Sequence, residues 1–138
     1  MSSASRSLSR NAGHRLRTAA QELCTAVESH MSDLIALIEE ETTFVRAGKL
    51  FALKDLETRK KRSAREFING LEAVKKIRPT LERHAPDAIY SLRRRHAEFR
   101  SMLQLSLAAL ATAKEASNGM FDTMSGGRGF EPGLTAAV

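Results

Sequence analysis

The apolar positions of this 138-residue chain recur with the spacing of α-helices over most of its length. From His14 onward, steps of three and four residues separate the apolar side chains, which is the pattern of helices that bury one stripe each. No stretch of the sequence shows the alternation that is typical of a half-buried strand. The pattern predicts an all-α fold, an antiparallel three-helix bundle in which a third helix packs on a long helical hairpin.

The stretch from Leu34 to Phe67 predicts the hairpin, because helical periodicity continues on both sides of Gly48. Arg46 in the last turn of the first arm, followed by Gly48, is typical of a helix end. The second arm is expected from about Leu50 to Arg78, since the residue before a proline disfavours helical geometry. Gly48 is therefore predicted to have a structural role at the turn.

Two charged residues, Glu41 and Lys60, stand at positions of the two stripes where an apolar residue is expected. A buried carboxylate without a partner is strongly disfavoured. Folding back at Gly48 brings Glu39 to Glu41 within side-chain reach of Arg59 to Arg62. Two interpretations of Lys60 remain open: its methylenes cover the stripe while its ammonium reaches water, or it pairs with Glu41 and fixes the register of the hairpin.

A third helix is predicted to begin at Pro86, because Pro and an early acid such as Asp87 suit a first helical turn, and to end near Gly119. Its second half is apolar on nearly every face and carries no charge until Lys114. A three-helix bundle buries one stripe per helix, so the surplus apolar surface indicates an interface. A fourth packing element or self-association is the alternative. The residues predicted to bind a partner are Met102, Leu103, Leu105, Leu107, Leu110, Ala113 and Phe121.

Both ends of the chain differ from the middle in composition. Residues 1–13 are rich in Ser and Arg and have no apolar period, so they are predicted to form a disordered basic tail. Residues 119–138 are rich in Gly and are predicted to form a flexible tail. The bundle domain is accordingly expected at residues 14–118.

Composition and charge narrow the classes of function. The formal net charge of +6 permits binding to nucleic acid or to an acidic membrane surface without establishing either. The single cysteine, Cys24, lies in the apolar stripe and is expected to be a small core residue in a reducing compartment. The four histidines show no ligand spacing. The sequence predicts a cytoplasmic protein that is not an enzyme, with no cofactor, no metal and no membrane insertion.

The order of motifs in the hairpin resembles a known family. Leu34 to Glu41 reads L-x-x-L-I-x-x-E, Gly48 stands at the turn, and Leu53 to Lys60 reads L-x-x-L-x-x-x-K. In this order the motifs resemble FlgN-type flagellar export chaperones. After the third helix, Thr123 to Gly129 is similar to the family's Thr-x-Tyr-Gly-x-x-Gly element, with Ser125 where the tyrosine would stand.

This resemblance implies a cytosolic helical bundle that holds hook–filament junction subunits unassembled and delivers them to the flagellar type III export apparatus. Clients of such chaperones dock helices against the C-terminal part, so the resemblance makes Leu103 to Ala113 and the tail the expected client-binding site. Glu41, Gly48 and Lys60 match family positions that look architectural. The expected partners are the junction subunits and components of the export apparatus, and the chain is expected to be a monomer or a homodimer.

Two other classes of function remain as alternatives. A basic helical protein associated with nucleic acid would use Arg59 to Arg65 and Arg93 to Arg95, although Glu57, Glu66 and Glu98 interrupt these basic runs. No specific nucleic acid is expected as a partner for that reason. The third class is a homo-oligomeric coiled-coil scaffold, which a mass measurement in solution would separate from a client-binding chaperone.

Overall fold

The computed structural model describes residues 3–124, and the side chains of residues 3–120 among them. Within this range the chain forms four helices and no strand: α1 (Ser3–Arg46), α2 (Leu50–Lys76), α3 (Arg78–His84) and α4 (Pro86–Met124). The predicted all-α class is confirmed. The structure has four helices where three were predicted, because a short helix, α3, lies between the second and third long ones.

The turn between α1 and α2 follows from the glycine at its centre. Gly48 has a φ of 70°, in the left-handed region that a side chain disfavours. The Gly48 amide donates to the Val45 carbonyl at 3.2 Å, and the Lys49 amide donates to the Phe44 carbonyl at 2.9 Å. This pair of bonds is the Schellman motif, which satisfies carbonyls at the end of a helix and reverses the chain. The predicted structural role of Gly48 is thereby explained by its backbone conformation.

α1 is the central helix, since both α2 and α4 pack along it, whereas the backbones of α2 and α4 do not approach each other closely within the described residues. α2 returns antiparallel along it, as its contacts show: Lys60 meets Glu41 near the turn, while Glu66 meets His30 farther from it. The two helices approach closely at Gly70, where an added Cβ would lie 2.8 Å from Cγ2 of Val27. Glycine is therefore needed at this position to let the backbones come together.

α4 runs parallel to α1 on another side of it. Ser91 near the start of α4 donates to Glu28 at 3.3 Å, and Lys114 near its end lies 3.2 Å from Glu41. α2 and α4 meet through aromatic side chains, with the ring centroids of Phe67 and Phe99 5.0 Å apart. The largest fully buried side chains are Val27, Leu56 and Leu81, which come from α1, α2 and α3.

The N-terminal segment differs from the prediction. α1 begins at Ser3, whereas a disordered tail was expected at residues 1–13 and a helix only from His14. Propagation of an established helix is much easier than nucleation, so the segment continues the helix although its Ser residues, Asn11 and Gly13 are weaker helix formers than its Ala and Arg residues. The side chains of residues 3–12 are nevertheless exposed, and the buried stripe begins only at Ala20. The segment is thus helical without tertiary support.

Two further boundaries also differ. Most of the residues between the second and third predicted helices, for which no helix was predicted, lie in α3, whose Leu81 is completely buried in the core. The third long helix starts at Pro86, as predicted, but continues through Gly119 to Met124. One glycine inside a helix costs only about 1 kcal/mol, so it does not terminate a long helix by itself. Residues 125–138, with most of the predicted Gly-rich tail, lie outside the described residues.

Candidate functional site

A buried carboxylate joins the three long helices. Glu41 of α1 is 5% exposed. Its Oε1 lies 2.5 Å from Nζ of Lys60 on α2, and its Oε2 lies 3.2 Å from Nζ of Lys114 on α4. Lys60 also contacts Glu57 at 3.2 Å. The Glu41–Lys60 pair that the sequence left open is present, so the ammonium of Lys60 is held by carboxylates.

The electrostatics of this cluster favour the charged forms. Burial, the largest single influence, acts to raise the pKa of Glu41, but the hydrogen bonds from Lys60 and Lys114 outweigh it and the pKa is lowered. Burial likewise acts to lower the pKa of Lys60, and the bonds to Glu41 and Glu57 reverse this and raise it. The cluster is therefore a charged, hydrogen-bonded link between helices.

The surface between α1 and α4 carries a groove that continues to the Gly48 turn. It consists of three depressions in a row: the first and the middle one share Glu39 as a lining residue, and the middle one and the one beside the turn share Arg46. We call it the α1/α4 groove. Steps of three and four residues place its α4 wall on one face of that helix. That wall includes Met102, Leu105, Ala109, Thr112, Ala113, Ala116 and Met120.

The section of the groove farthest from the turn combines an apolar floor with a charged border. Met31, Ile35, Phe99 and Met102 supply its apolar atoms. The charged side chains around it are three carboxylates and one guanidinium, namely those of Glu28, Glu39, Glu98 and Arg95. This section of the α1/α4 groove suits a helix that is apolar on one face and basic beside it.

Two of the predicted binding residues line the α1/α4 groove and are well exposed, Met102 at 50% and Leu105 at 72%. Leu107 is 46% exposed but does not line the groove. Residues two apart on a helix are about 200° apart around its axis, so Leu105 and Leu107 cannot share a face. The sequence prediction grouped them because the segment is apolar on nearly every side.

The remaining predicted binding residues are less accessible. Leu110 and Ala113 are each 5% exposed and belong to the core, and Leu103 is partly buried against it. Their apolar contacts are already made within the chain, so they are corrected to core positions. Ala113 also lines the section of the groove beside the Gly48 turn. Phe121 lies in α4, but its side chain is outside the described residues.

Some residues of the groove gave no signal in the sequence. Its α1 wall includes Ala36, Glu39, Thr43 and Arg46, which follow the helical spacing but are small or polar. They were missed because apolar periodicity does not select such residues. Lys114 was noticed only as the end of the apolar stretch, since its pairing with Glu41 depends on how α4 lies against α1.

Other chemistry is sparse in this part of the chain. Among residues 3–124, no group of three or more His, Cys, Asp or Glu side chains could hold a metal ion. None of the helices in that range combines the length and apolar character needed to cross a membrane. Cys24 is 2% exposed, and burial raises the pKa of its thiol, which suits a core residue and disfavours a reactive thiolate.

Comparison with known proteins adds no relative: no family model matches the chain, and neither a curated protein nor a solved structure does.

Proposed function

We propose that this chain is a secretion chaperone that binds flagellar hook–filament junction subunits and delivers them to the flagellar type III export apparatus. In this proposal α1, α2 and α4 are the long helices of an antiparallel three-helix bundle, and the α1/α4 groove receives a helix of the client. The observation that carries the proposal is the exposed apolar wall of α4, with Leu105 at 72% and Met102 at 50% exposure.

The dimensions of the α1/α4 groove support this mode of binding. Its α4 wall extends from Met102 to Met120, which at 1.5 Å per residue is about 27 Å, or roughly five helical turns. An amphipathic helix in such a groove buries side chains at every third or fourth position. The exposed Met102 and Met120 suit a chaperone surface, since flexible thioethers adapt to different apolar partners.

The flagellar part of the proposal rests on the motifs of the hairpin. The resemblance of Leu34 to Glu41 and of Leu53 to Lys60 to FlgN-type chaperones names the client class, and the charged cluster at Glu41 agrees with an architectural role for these positions. A cytoplasmic location, and action without catalysis or a cofactor, belong to the same proposal.

The nucleic-acid alternative is weakened by the ion pairs of three of its basic residues. Arg59 lies 3.7 Å from Glu40, and Lys60 is held by Glu41. Arg93 donates to Glu82 at 3.0 Å. Guanidinium and ammonium groups that already face carboxylates gain less from phosphates, because the competing contact must be lost first.

A titration with a purified hook–filament junction subunit of the same organism tests the proposal. We expect a one-to-one complex with a dissociation constant in the micromolar range or below. Binding to DNA or RNA is expected to be weak and to disappear near physiological salt, because counterion release dominates such contacts. Absence of binding to every junction subunit, or nanomolar nucleic-acid binding at physiological salt, would contradict the proposal.

A further inference from the structure

Four charged residues form a row that winds slowly around α1. Arg6, Arg17, Glu28 and Glu39 follow one another at intervals of 11 residues. Eleven residues are close to three helical turns, so each member of the row lies about 20° around the axis from the one before and about 16 Å along it. The row is positive in the N-terminal half of α1 and negative in the C-terminal half.

These four charges are available to a partner. Arg6, Arg17 and Glu39 are exposed, and Glu28 is partly buried beside Ser91. None of the four takes part in an ion pair within residues 3–120.

The neighbouring charges mostly reinforce the polarity of the row. Arg10 and His14 lie on the same face of α1 as Arg6 by helical spacing, and no acid precedes Glu22. On the negative half, Glu98 of α4 faces the same section of the groove, and Arg95 is the one opposing charge among the residues that line it.

We propose that this face of α1 binds a second copy of the chain in antiparallel orientation. A two-fold axis midway between Arg17 and Glu28 sets Arg17 of one copy opposite Glu28 of the other, and Arg6 opposite Glu39. Because the spacing is equal on both halves, both contacts form together, and symmetry repeats each of them. A parallel arrangement in the same register is disfavoured, since it sets like charges against each other.

The antiparallel arrangement places the N-terminal segment of one copy in the α1/α4 groove of the other. The N-terminal segment of α1, which has no tertiary support in its own chain, lies along the apolar section of the α1/α4 groove of the other copy. That section carries three carboxylates around its floor, and the segment that enters it carries Arg residues without an acid. Glu28 and Glu39 also border the proposed client site, whereas Arg6 and Arg17 lie outside it. Loss of self-association in the Arg6→Glu/Arg17→Glu variant with client binding unchanged therefore distinguishes the two proposals.

Exposed ion pairs contribute little individually, so the association is expected to be weak and sensitive to salt. Sedimentation equilibrium of the full chain at low and high ionic strength measures it directly. We expect a reversible dimer at low salt whose dissociation constant rises several-fold at high salt. A wild-type chain that stays monomeric at low salt and high concentration overturns the inference.

Charge-reversal variants test whether the dimer forms through this row of charges or through another surface. The variant Arg6→Glu/Arg17→Glu and the variant Glu28→Arg/Glu39→Arg each turn all four contacts into like-charge contacts, so each should weaken self-association at least about tenfold. An equimolar mixture of the two variants restores four opposite-charge contacts and should associate about as tightly as the wild type. Circular dichroism checks that both variants remain folded.

Arg15→Glu is the matched control, because Arg15 lies on the opposite side of the same helical segment and should leave the dimer within about threefold of wild type. A dimer that is insensitive to the row variants, or equally sensitive to Arg15→Glu, overturns the inference. So does a monomer that instead binds anionic vesicles or duplex DNA through Arg6 and Arg17, because the positive half of the row then serves another partner.

Discussion

At the scale of single residues, Glu41 is the charged side chain that joins the long helices. Its two oxygens accept from Lys60 of α2 and from Lys114 of α4, while only 5% of the residue is exposed. A buried ion pair adds little net stability compared with an apolar pair, but removing one member leaves an uncompensated charge. The cluster therefore sets how α2 and α4 sit against α1.

The coupling between Glu41 and Lys60 can be measured with a double-mutant cycle of Glu41→Ala and Lys60→Ala. We expect a favourable coupling energy of about 1 kcal/mol or more, because both side chains are largely removed from water. The Glu40–Arg59 pair is the matched control: its atoms lie 3.7 Å apart and its side chains are 38% and 50% exposed, so its coupling should be near zero. Equal coupling in the two cycles, measured by chemical denaturation, would count against the structural role of Glu41.

The pH dependence of stability follows from the lowered pKa of Glu41. A carboxyl whose folded pKa lies below its ordinary value of 4.5 stabilises the fold fully above that value. This contribution is lost as the pH falls through the lowered folded pKa, where the carboxylate becomes protonated in the folded state too. The free energy of unfolding of the wild type should therefore exceed that of Glu41→Gln most at neutral pH. Denaturation from pH 7 to pH 3 should show this difference shrinking, and a constant difference would refute the assignment.

Part of this charged cluster could be predicted from the sequence. Glu41 and Lys60 could be paired because both interrupt apolar stripes and the Gly48 turn fixes their relative register. Lys114 could not be added, since the position of α4 along α1 is determined by packing across a long connection and not by a short turn.

At the scale of the helices, the close approach of α1 and α2 depends on a residue without a side chain. A Cβ at Gly70 would lie 2.8 Å from Cγ2 of Val27, and Val27 is completely buried and branched at Cβ, so it has little freedom to move. Any side chain introduced at Gly70 therefore forces Val27 or the two helices to shift.

We expect Gly70→Ala to lower the free energy of unfolding by about 1–2 kcal/mol, although alanine is the better helix former. Gly13→Ala is the control, because an added Cβ there meets no atom within 4 Å and the change should be neutral or slightly stabilising. Thermal melts of both variants, compared with the wild type, measure these changes in stability. A stabilised Gly70→Ala protein would show that α1 and α2 are less tightly packed than the structure has them.

Some helix boundaries could be predicted from local sequence and others could not. The turn at Gly48 and the start at Pro86 were predicted because each has a residue with a specific backbone preference. The extension of α1 to Ser3 was not, since a segment without an apolar stripe gives no periodic signal even when it is helical. The extension of α4 through Gly119 was missed because Ser117-Asn118-Gly119 is a combination typical of a helix end.

At the scale of the whole molecule, the bundle leaves a groove along α1 that its own chain, within the described residues, does not fill. The sequence predicted an interface on α4 from its surplus of apolar residues, and Met102 and Leu105 do line the groove. It could not separate them from Leu110 or Leu107, because the rotation of α4 about its axis is fixed only when the helices pack. The two proposed occupants of the groove, a client helix and the N-terminal segment of a second copy, would compete for its apolar section.

The central claim is that the α1/α4 groove binds the client, and a pair of matched variants tests it most directly. Leu105→Ser and Leu107→Ser make the same chemical change on opposite sides of α4, at residues that are 72% and 46% exposed. Both should leave thermal stability nearly unchanged, since little buried area is lost. In calorimetric titrations with a hook–filament junction subunit, Leu105→Ser should weaken binding by about 2 kcal/mol, roughly thirtyfold in Kd, and Leu107→Ser by less than about twofold. Equal effects of the two variants, or no effect of Leu105→Ser, would contradict the claim.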